Sequence, residues 1–315
     1  MKTLTLTSAA LLLAASSASG VFQIFDGNAE MRSALTPFLP DSPLCTADFR
    51  CDGLASPDHM FGYNWSYRAP GGGNRGFSWL DTPVQTMVGD TLTLVYTNAG
   101  PNPVGFNRFN ARLTVQIFDA FQPNTARCES TLDFQAAATN AGPTVWNIFH
   151  LADMDLNGTA GNDVYQMTPA TNAEGVIGEG GSTDRINFLA RNPARFQVGP
   201  GAVLRNGVIG GGLFDLNGTA NFAGDGAYAF QWLVTLLPGQ TIQFKSAFGV
   251  NMPAVPPACP EDLNGDGQRD VNDLVLFLAN FGTVVPPFTG GDIDGNGVVN
   301  VVDLTLFLAT FGVPC

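Results

Sequence analysis

The chain has 315 residues, enough for two domains, and its 27 acidic residues against 14 basic ones give a formal net charge of −13. A surface of this sign repels nucleic-acid phosphates and anionic lipid, so both are excluded as partners. The negative charge is concentrated in 259–315, which contains eight acidic residues and a single basic one, Arg269. The composition therefore favours divalent cations as ligands.

The first 20 residues predict export. Lys2 precedes the apolar run Ala9–Ala15 and the small residues SSASG, which is the pattern of a signal peptide over 1–20 with cleavage near Ala18 or Gly20. The run is too short to span a membrane, and no second apolar stretch of about 20 residues follows. We expect a soluble protein that is secreted or held at the cell surface, with no membrane span.

Export permits disulfides, and the chain has five cysteines. Cys259 and Cys315 bracket the C-terminal segment, which suggests a disulfide that joins its ends. Cys45 and Cys51 are close enough for a local loop, but Cys128 could equally pair with either of them. Spacing alone does not choose between these pairings.

Short alternating runs predict an all-β domain over 21–250. In Thr91–Tyr96 and Leu113–Ile117, period-two alternation turns one face to a core and the other to water. Further strand candidates are Leu132–Ala138, Thr144–Leu151, Val164–Met167, Arg185–Leu189, Arg195–Val198, Tyr228–Leu236 and Thr241–Gly249. About ten short strands and no convincing amphipathic helix predict a β-sandwich or a jelly roll. The proline-rich stretch 251–258 is interpreted as a stiff linker.

Two loops near the C-terminus have the pattern of calcium sites. The string DLNGDGQRDVND at 262–273 is followed 30 residues later by DIDGNGVVNVVD at 292–303. An EF-hand loop places oxygen ligands at positions 1, 3, 5, 7, 9 and 12, with glycine at position 6 and a backbone carbonyl at position 7. The predicted Ca²⁺ ligands are Asp262, Asn264, Asp266, Gln268, Asp270 and Asp273 in the first loop, and Asp292, Asp294, Asn296, Val298, Asn300 and Asp303 in the second. Four carboxylates against three predict tighter binding at the first loop.

A helix is predicted after each loop. The apolar residues that share one helix face are Leu274, Phe277, Leu278 and Phe281 in the first helix, and Leu304, Phe307, Leu308 and Phe311 in the second. Gly282 and Gly312 stand where a left-handed cap ends a helix. Val275, Leu276 and Leu306 are also apolar. Either the helices pack on each other and on their connection, or these three residues form a partner-binding patch.

This tandem of loop and helix, with aspartate at position 12 and no entering helix, resembles a dockerin domain over 259–315. The resemblance implies two bound calcium ions in a small all-α domain, docking to a cohesin-like or cell-surface protein, and attachment to a polysaccharide-degrading enzyme. The chain departs from the family at loop positions 10 and 11, where Val271–Asn272 and Val301–Val302 replace a Ser/Thr pair. Neither helix carries the basic residues that are common in the family.

A third cation site is a further hypothesis. The hexapeptide DLNGTA occurs at 155–160 and again at 215–220. Around the first copy, Asp153, Asp155 and Asn157 have the 1-3-5 spacing of a calcium loop, although plain turn structure would use the same residues. The weaker counterparts around the second copy are Asp215, Asn217 and Asp225.

No catalytic constellation is identifiable. His59 and His150 lack any metalloprotease or nucleophile signature around them. The cluster Asp58, His59, Asn64, Trp65, Tyr67 and Arg68 either lines a sugar-binding surface or forms a strand with core aromatics. The motifs DHMFGYNWSYR, FHLADMDLNGTAGND and AFQWLVTLLPGQ are similar to those of an uncharacterised family of exported, β-rich bacterial proteins, which implies no established activity.

Together these features predict a mainly β chain with a small C-terminal all-α calcium-binding domain. The expected function is calcium-dependent docking of the β-rich body to a partner or an extracellular structure, and we do not expect an enzyme. The alternative is a polysaccharide-degrading O-glycosyl hydrolase or a carbohydrate-binding module that carries a dockerin.

Overall fold

A computed structural model describes residues 22–33, 47–77, 80, 83–100, 107–120, 122–168, 172–254, 260–263, 269–285 and 288–312. The predicted features that lie outside these ranges are the signal peptide, Cys45, Cys259, Cys315, Asn264, Asp266 and Gln268. Within the described ranges, no helix is long and apolar enough to cross a membrane.

The described residues form seventeen strands and three α-helices. The strands are β1 (Phe22–Asp26), β2 (Ala29–Ser33), β3 (Ala47–Arg50), β4 (Met60–Arg68), β5 (Arg75–Gly76), β6 (Val84–Val88), β7 (Thr91–Ala99), β8 (Phe109–Asp119), β9 (Ala126–Ala136), β10 (Thr144–Met154), β11 (Asp163–Thr168), β12 (Asn172–Glu179), β13 (Arg185–Arg191), β14 (Arg195–Pro200), β15 (Asn221–Ala223), β16 (Gly226–Leu236) and β17 (Thr241–Val250). The helices are α1 (Gly201–Ile209), α2 (Val271–Asn280) and α3 (Val301–Thr310).

The strands pair antiparallel in three sheets. The largest has nine strands in the order β15-β11-β12-β13-β17-β9-β8-β7-β6, and the second has five in the order β14-β16-β10-β4-β5. A small sheet has the order β1-β2-β3. The nine-stranded sheet contains two meanders, β6 to β9 and β11 to β13, which β17 joins, and β15 pairs with β11 at one edge.

The hydrophobic core lies between the two large sheets. Aromatic rings meet across it, with centroids 4.8 Å apart for Tyr67 and Phe109 and 4.1 Å apart for Phe188 and Tyr228. Along β8, buried residues alternate with less buried ones over the whole strand, as expected when one face of a sheet is covered. The body of the chain is therefore a two-sheet β-sandwich.

All nine strands predicted from the sequence are present, but others were missed. The clearest case is β12, whose glycines weaken the strand pattern. A Cβ atom at Gly175 would lie 2.2 Å from the ring of Phe188 on the neighbouring strand β13, so this glycine makes room for that ring. A glycine needed for close packing therefore weakened the sequence pattern by which the strand would have been predicted.

The expectation that 21–250 contains no helix is wrong. Helix α1 covers the outer face of the five-stranded sheet, where Leu204 and Val208 pack against Phe149 and Leu151 in a second, smaller core. Its sequence, GAVLRNGVI, holds two glycines, which lower helix propensity. Burial against the sheet supplies the stabilisation that the local sequence lacks.

The prediction of a small all-α C-terminal domain is also wrong. Within 260–263, 269–285 and 288–312, only α2 and α3 are helical, and the remainder is loop and turn with one antiparallel bridge between Val284 and Val298. The small core of this segment joins Phe277 and Phe307 to the loop residues Ile293 and Val299. Two ten-residue helices are too short to enclose a core by themselves, so the loops contribute half of it.

The disulfide pairings open to Cys51 and Cys128 are not formed in this structure. Both residues are buried free thiols. The Sγ atom of Cys128 lies 4.0 Å from the Sδ atom of Met31, within the sandwich core. These thiols therefore pack as small apolar side chains.

Candidate metal centre

The second predicted calcium loop is described over its full length. Gly295 and Gly297 each have a φ of +79°, the left-handed conformation that glycine adopts most readily. Gly297 occupies position 6, where an EF-hand loop turns sharply. The backbone therefore folds as the spacing of this loop predicts.

Three of the six predicted ligands of this loop lie together. Ligand oxygens of Asp292, Asp294 and Asp303 are all within 4.8 Å of one another. Asp292 is 1% exposed, and its Oδ2 atom accepts hydrogen bonds from the backbone N–H groups of Phe288 (3.0 Å) and Gly297 (2.9 Å). Its Oδ1 atom is buried and has no hydrogen-bond partner among the described residues. A buried carboxylate oxygen without a donor is a candidate cation ligand.

The other three predicted ligands make bonds within the loop. Asn296 Oδ1 accepts from the Val298 N–H at 2.9 Å, and Asn300 Nδ2 donates to the Val298 carbonyl at 3.0 Å. Asn300 Oδ1 accepts from the Val302 N–H at 2.8 Å, which makes Asn300 the N-cap of α3. These residues shape the loop around the carboxylate group.

The electrostatics of the three carboxylates favour a cation. Burial raises the pKa of Asp292, and the charge of Asp303 adds to this effect. Burial likewise raises the pKa of Asp294 to about 6, with further contributions from Asp303 and Asp292. A bound divalent cation would oppose both causes because it attracts the ionised form.

Asp303 also lies in the first turn of α3. Its Oδ1 atom accepts from the N–H groups of Ile293 (2.8 Å) and Asp294 (3.1 Å), and its Oδ2 atom accepts from the Asn300 N–H (2.9 Å). The last bond is one half of a capping box with Asn300. One carboxylate therefore fixes the start of the loop, its end and the first turn of the helix.

The described part of the first loop repeats this pattern. Asp273 accepts from the N–H groups of Leu263 (2.8 Å) and Asp270 (2.9 Å), and Asp270 caps α2 through the Asn272 N–H (2.7 Å). The predicted ligands that the structure describes here are Asp262, Asp270 and Asp273. The two position-12 aspartates thus have equivalent bonds.

Reciprocal backbone bonds tie the two repeats together. The Gly282 N–H, after α2, donates to the Val299 carbonyl, and the Gly312 N–H, after α3, donates to the Arg269 carbonyl, both at 2.7 Å. Val299 and Arg269 each occupy position 8 of their loops. Each helix end is therefore fastened to the other loop. Both glycines have positive φ, which confirms the predicted left-handed caps.

Much of the apolar surface of α2 and α3 faces solvent. Phe277 and Phe307 are buried, and Leu274 and Leu304 are partly buried against them, but Leu278 and Leu308 are each 55% exposed. The exposed residues at equivalent positions of the two repeats are Val271 and Val301, Leu276 and Leu306, Leu278 and Leu308, and Phe281 and Phe311. Val275 is also exposed. The two helices therefore pack on each other and on Val285 of their connection, but this packing leaves Val275, Leu276 and Leu306 exposed.

Most of the body residues considered for catalysis or sugar binding are buried. Burial lowers the pKa of His150 to about 3, and it also lowers the pKa of His59, whose Nε2 atom lies 2.8 Å from Asn124 Oδ1. Trp65 is 3% exposed and stacks on Trp232 at 5.6 Å. The interpretation of this stretch as a strand with core aromatics is confirmed, and it forms part of β4.

A second cluster of three aspartate carboxylates lies in the sandwich. Ligand oxygens of Asp153, Asp155 and Asp225 are within 4.8 Å of one another. Asn157, the third residue of the predicted loop, donates instead to Glu179 Oε2 at 2.9 Å. Sequence spacing did not associate Asp225 with the first DLNGTA copy because a strand pairing, not a loop, brings it there.

A groove of about 450 Å³ lies beside β4 and β10. Its lining includes Arg68, Gly71–Gly73, Asn147 and Leu213. Arg68 is paired with Asp215, and Asn147 accepts from Gln231 Nε2 at 2.8 Å. The lining therefore combines polar groups with the exposed Leu213.

Comparison with known proteins does not assign a family. No family model and no curated protein matches the chain. Solved structures that resemble it are a bacterial glucoamylase complexed with acarbose (7% identity, TM-score 0.40, 75% of this chain and 32% of that one), a putative kojibiose phosphorylase from the human microbiome (7%, 0.37, 72% and 29%) and a 4-alpha-glucanotransferase from Thermococcus litoralis (6%, 0.33, 74% and 38%). The chain spans about a third of the length of each. These TM-scores are too low to establish a shared fold.

Proposed function

We propose that this chain is an exported calcium-binding protein whose dockerin-like tandem loops order two apolar helices for docking the β-sandwich to a partner protein. The observation that carries the proposal is the group Asp292, Asp294 and Asp303, with a buried Asp292 oxygen that has no donor among the described residues. The first loop would hold a second ion through residues that include Asp262 and Asp273.

The donor set selects the cation. All candidate ligands of the second loop are carboxylate, amide or carbonyl oxygens, and Ca²⁺ prefers six to eight such ligands in flexible geometry. Softer metals such as zinc favour cysteine and histidine, and 260–312 contains neither. Calcium is therefore the ion that fits this segment.

The exposed helix residues indicate the chemistry of the partner. Exposed apolar side chains such as Leu276 and Leu306 lie at matched positions of the two repeats, and a concentration of exposed apolar residues is typical of protein interfaces. The surrounding loops are acidic. We therefore propose a partner protein with an apolar face bordered by basic residues, of the cohesin-like or cell-surface type.

Site-specific crosslinking tests this proposal. A photo-crosslinking amino acid replaces Val275 in the full chain, which is incubated with envelope fractions in calcium or in EDTA. The crosslinked protein is identified by mass spectrometry, and its affinity is then measured in purified form. We expect binding in calcium that is lost in EDTA and lost in the double variant Leu276→Asp/Leu306→Asp. Equal affinity of the wild type and the double variant would refute the docking surface.

The second candidate function is polysaccharide binding or hydrolysis by the body. The groove beside β4 and β10 favours it, because Arg68 and Asn147 offer polar contacts there. The carbohydrate-active enzymes named above add no argument at their TM-scores. A glycan array and a hydrolysis screen on the full chain test this candidate. Binding or turnover of any polysaccharide, abolished by an obstructing Gly72→Trp substitution in the groove, would favour it over docking alone.

A further inference from the structure

We propose a further calcium site within the β-sandwich, formed by Asp153, Asp155 and Asp225. It is independent of the C-terminal loops and of the docking that they are proposed to support. Asp153 lies near the end of β10, Asp155 directly follows that strand, and Asp225 directly precedes β16. Because β10 and β16 pair antiparallel, with Asp153 opposite Ala227, the three carboxylates meet at one end of the sheet.

The burial and hydrogen bonding of the Asp153 carboxylate favour a cation at this site. The residue is 1% exposed, and its Oδ1 atom has no hydrogen-bond partner among the described residues. Its Oδ2 atom lies 2.7 Å from Nη1 of Arg205 on α1. Buried carboxylate oxygens normally accept hydrogen bonds or bind a metal. One oxygen of this buried carboxylate lies within 4.8 Å of oxygens of Asp155 and Asp225, so a cation there would be coordinated by it.

The charges around the group are unbalanced. Arg205 is the basic residue that contacts it, against three ionisable carboxylates. On β11, Asp163 is fully buried, and its Oδ1 atom likewise lacks a partner in the described part of the chain. A divalent cation would offset the remaining negative charge. Oxygen donors without nitrogen or sulfur favour Ca²⁺ over zinc, and the exposure of Asp225 gives the ion a route from solvent.

The segments that carry the ligands are held in place without a metal. The Tyr165 hydroxyl lies 2.7 Å from the Met154 carbonyl and 2.5 Å from the Gly226 carbonyl, which joins the end of β10 to the start of β16. A Cβ atom at Gly201 would lie 2.6 Å from Asp153 Oδ2, so glycine is needed to admit the carboxylate. Such a preorganised arrangement lowers the cost of ordering ligands when an ion binds.

Calcium stoichiometry of the full chain tests the site. The bound calcium per chain is measured by equilibrium dialysis for the wild type and for the variant Asp155→Asn/Asp225→Asn. We expect the variant to lose one bound ion. The matched control, Glu174→Gln, removes an exposed carboxylate elsewhere on the sandwich and should retain all ions. Equal stoichiometry in the wild type and the double variant would overturn the site.

A second background separates this site from the C-terminal loops. In Asp273→Asn/Asp303→Asn, which weakens both loops, we expect one calcium ion to remain and to disappear on adding Asp155→Asn/Asp225→Asn. If the loops bind no calcium even in the wild type, the proposed docking function fails while this site still accounts for one ion.

The guanidinium of Arg205 would compete with calcium for Asp153, and replacing it provides an independent measurement. Removal of the Arg205 charge by Arg205→Gln should tighten calcium binding at this site roughly tenfold or more, because like charges no longer repel. A purely structural ion pair would give lower stability and no gain in calcium affinity, and that outcome would contradict the proposal.

Discussion

The substitution Asp303→Asn separates two roles of one carboxylate. Asp303 accepts three backbone hydrogen bonds, from Ile293, Asp294 and Asn300, and it also belongs to the candidate metal group. An asparagine side chain has a single acceptor oxygen. If that oxygen keeps the bonds to Ile293 and Asp294, its NH₂ group faces the Asn300 N–H, and the capping box of α3 is broken.

The expected destabilisation follows from this bond count. Loss of one hydrogen bond to a charged acceptor costs about 1.5 to 3 kcal/mol, and the lost half of the capping box is that same bond. A segment the size of 260–312 has a total stability of roughly 3 to 8 kcal/mol by the usual value per residue. A loss of about 2 to 3 kcal/mol would accelerate amide exchange in α3 roughly 30- to 150-fold.

Hydrogen–deuterium exchange of the full chain in EDTA measures this effect without the contribution of bound calcium. The control is Asp294→Asn, which removes a carboxylate from the same group. Asp294 accepts from the N–H (3.0 Å) and the Nδ2 atom (2.9 Å) of Asn296, and neither of these bonds involves α3. We expect exchange in α3 to change at most about threefold in this control. Equal acceleration in both variants would mean that charge, and not the hydrogen bonds of Asp303, determines the order of the helix.

Three further outcomes are expected. Chelation of calcium should destabilise α2 and α3 without unfolding them completely, because the clustered carboxylates repel one another without an ion. Amide exchange in both helices should therefore be faster in EDTA than in calcium, and equal exchange in the two conditions would contradict a calcium-dependent stability of the tail. Burial lowers the pKa of His150 from 6.5 to about 3, so the unfolded state binds the proton at a higher pH than the folded state does. The contribution of this histidine to stability is therefore complete above pH 6.5 and falls by up to roughly 4 to 5 kcal/mol towards pH 3. Urea unfolding of His150→Phe should lack this pH dependence, and an unchanged pH dependence would assign it to other groups. Leu276→Asp/Leu306→Asp should leave calcium stoichiometry and helix content intact, since both side chains face solvent; a loss of either would show that these residues support folding.

Local chemistry was predictable and long-range placement was not. The second loop follows its spacing because backbone bonds close within 12 residues, and Gly282 ends α2 because a left-handed cap needs only its neighbours. The exposure of Leu278 was not predictable, since periodicity shows that a helix has an apolar face but not whether another element covers it. The two carboxylates Asp153 and Asp225 are 72 residues apart in the chain and meet only through the pairing of β10 with β16.

The burial of His150 and Trp65 has a similar explanation. Both lie on strands of the five-stranded sheet, β4 and β10, whose residues are mostly buried, so the alternation that marks a solvent-exposed face is weak. Polar and aromatic residues in such a strand resemble a binding surface in sequence. The packing of the opposite sheet, which local sequence does not encode, decides that they are core.

Two backbone hydrogen bonds cross between the repeats, from Gly282 to Val299 and from Gly312 to Arg269. They determine whether one repeat of the tail can fold alone or be fused to another protein. A single loop with its helix would lack the carbonyl that holds its own C-terminal end, as well as half of the shared phenylalanine contact. Deletion of either repeat should therefore abolish the module and not halve its activity. The pair is the smallest portable unit, and a fusion intended to carry this tail to another protein must include both repeats.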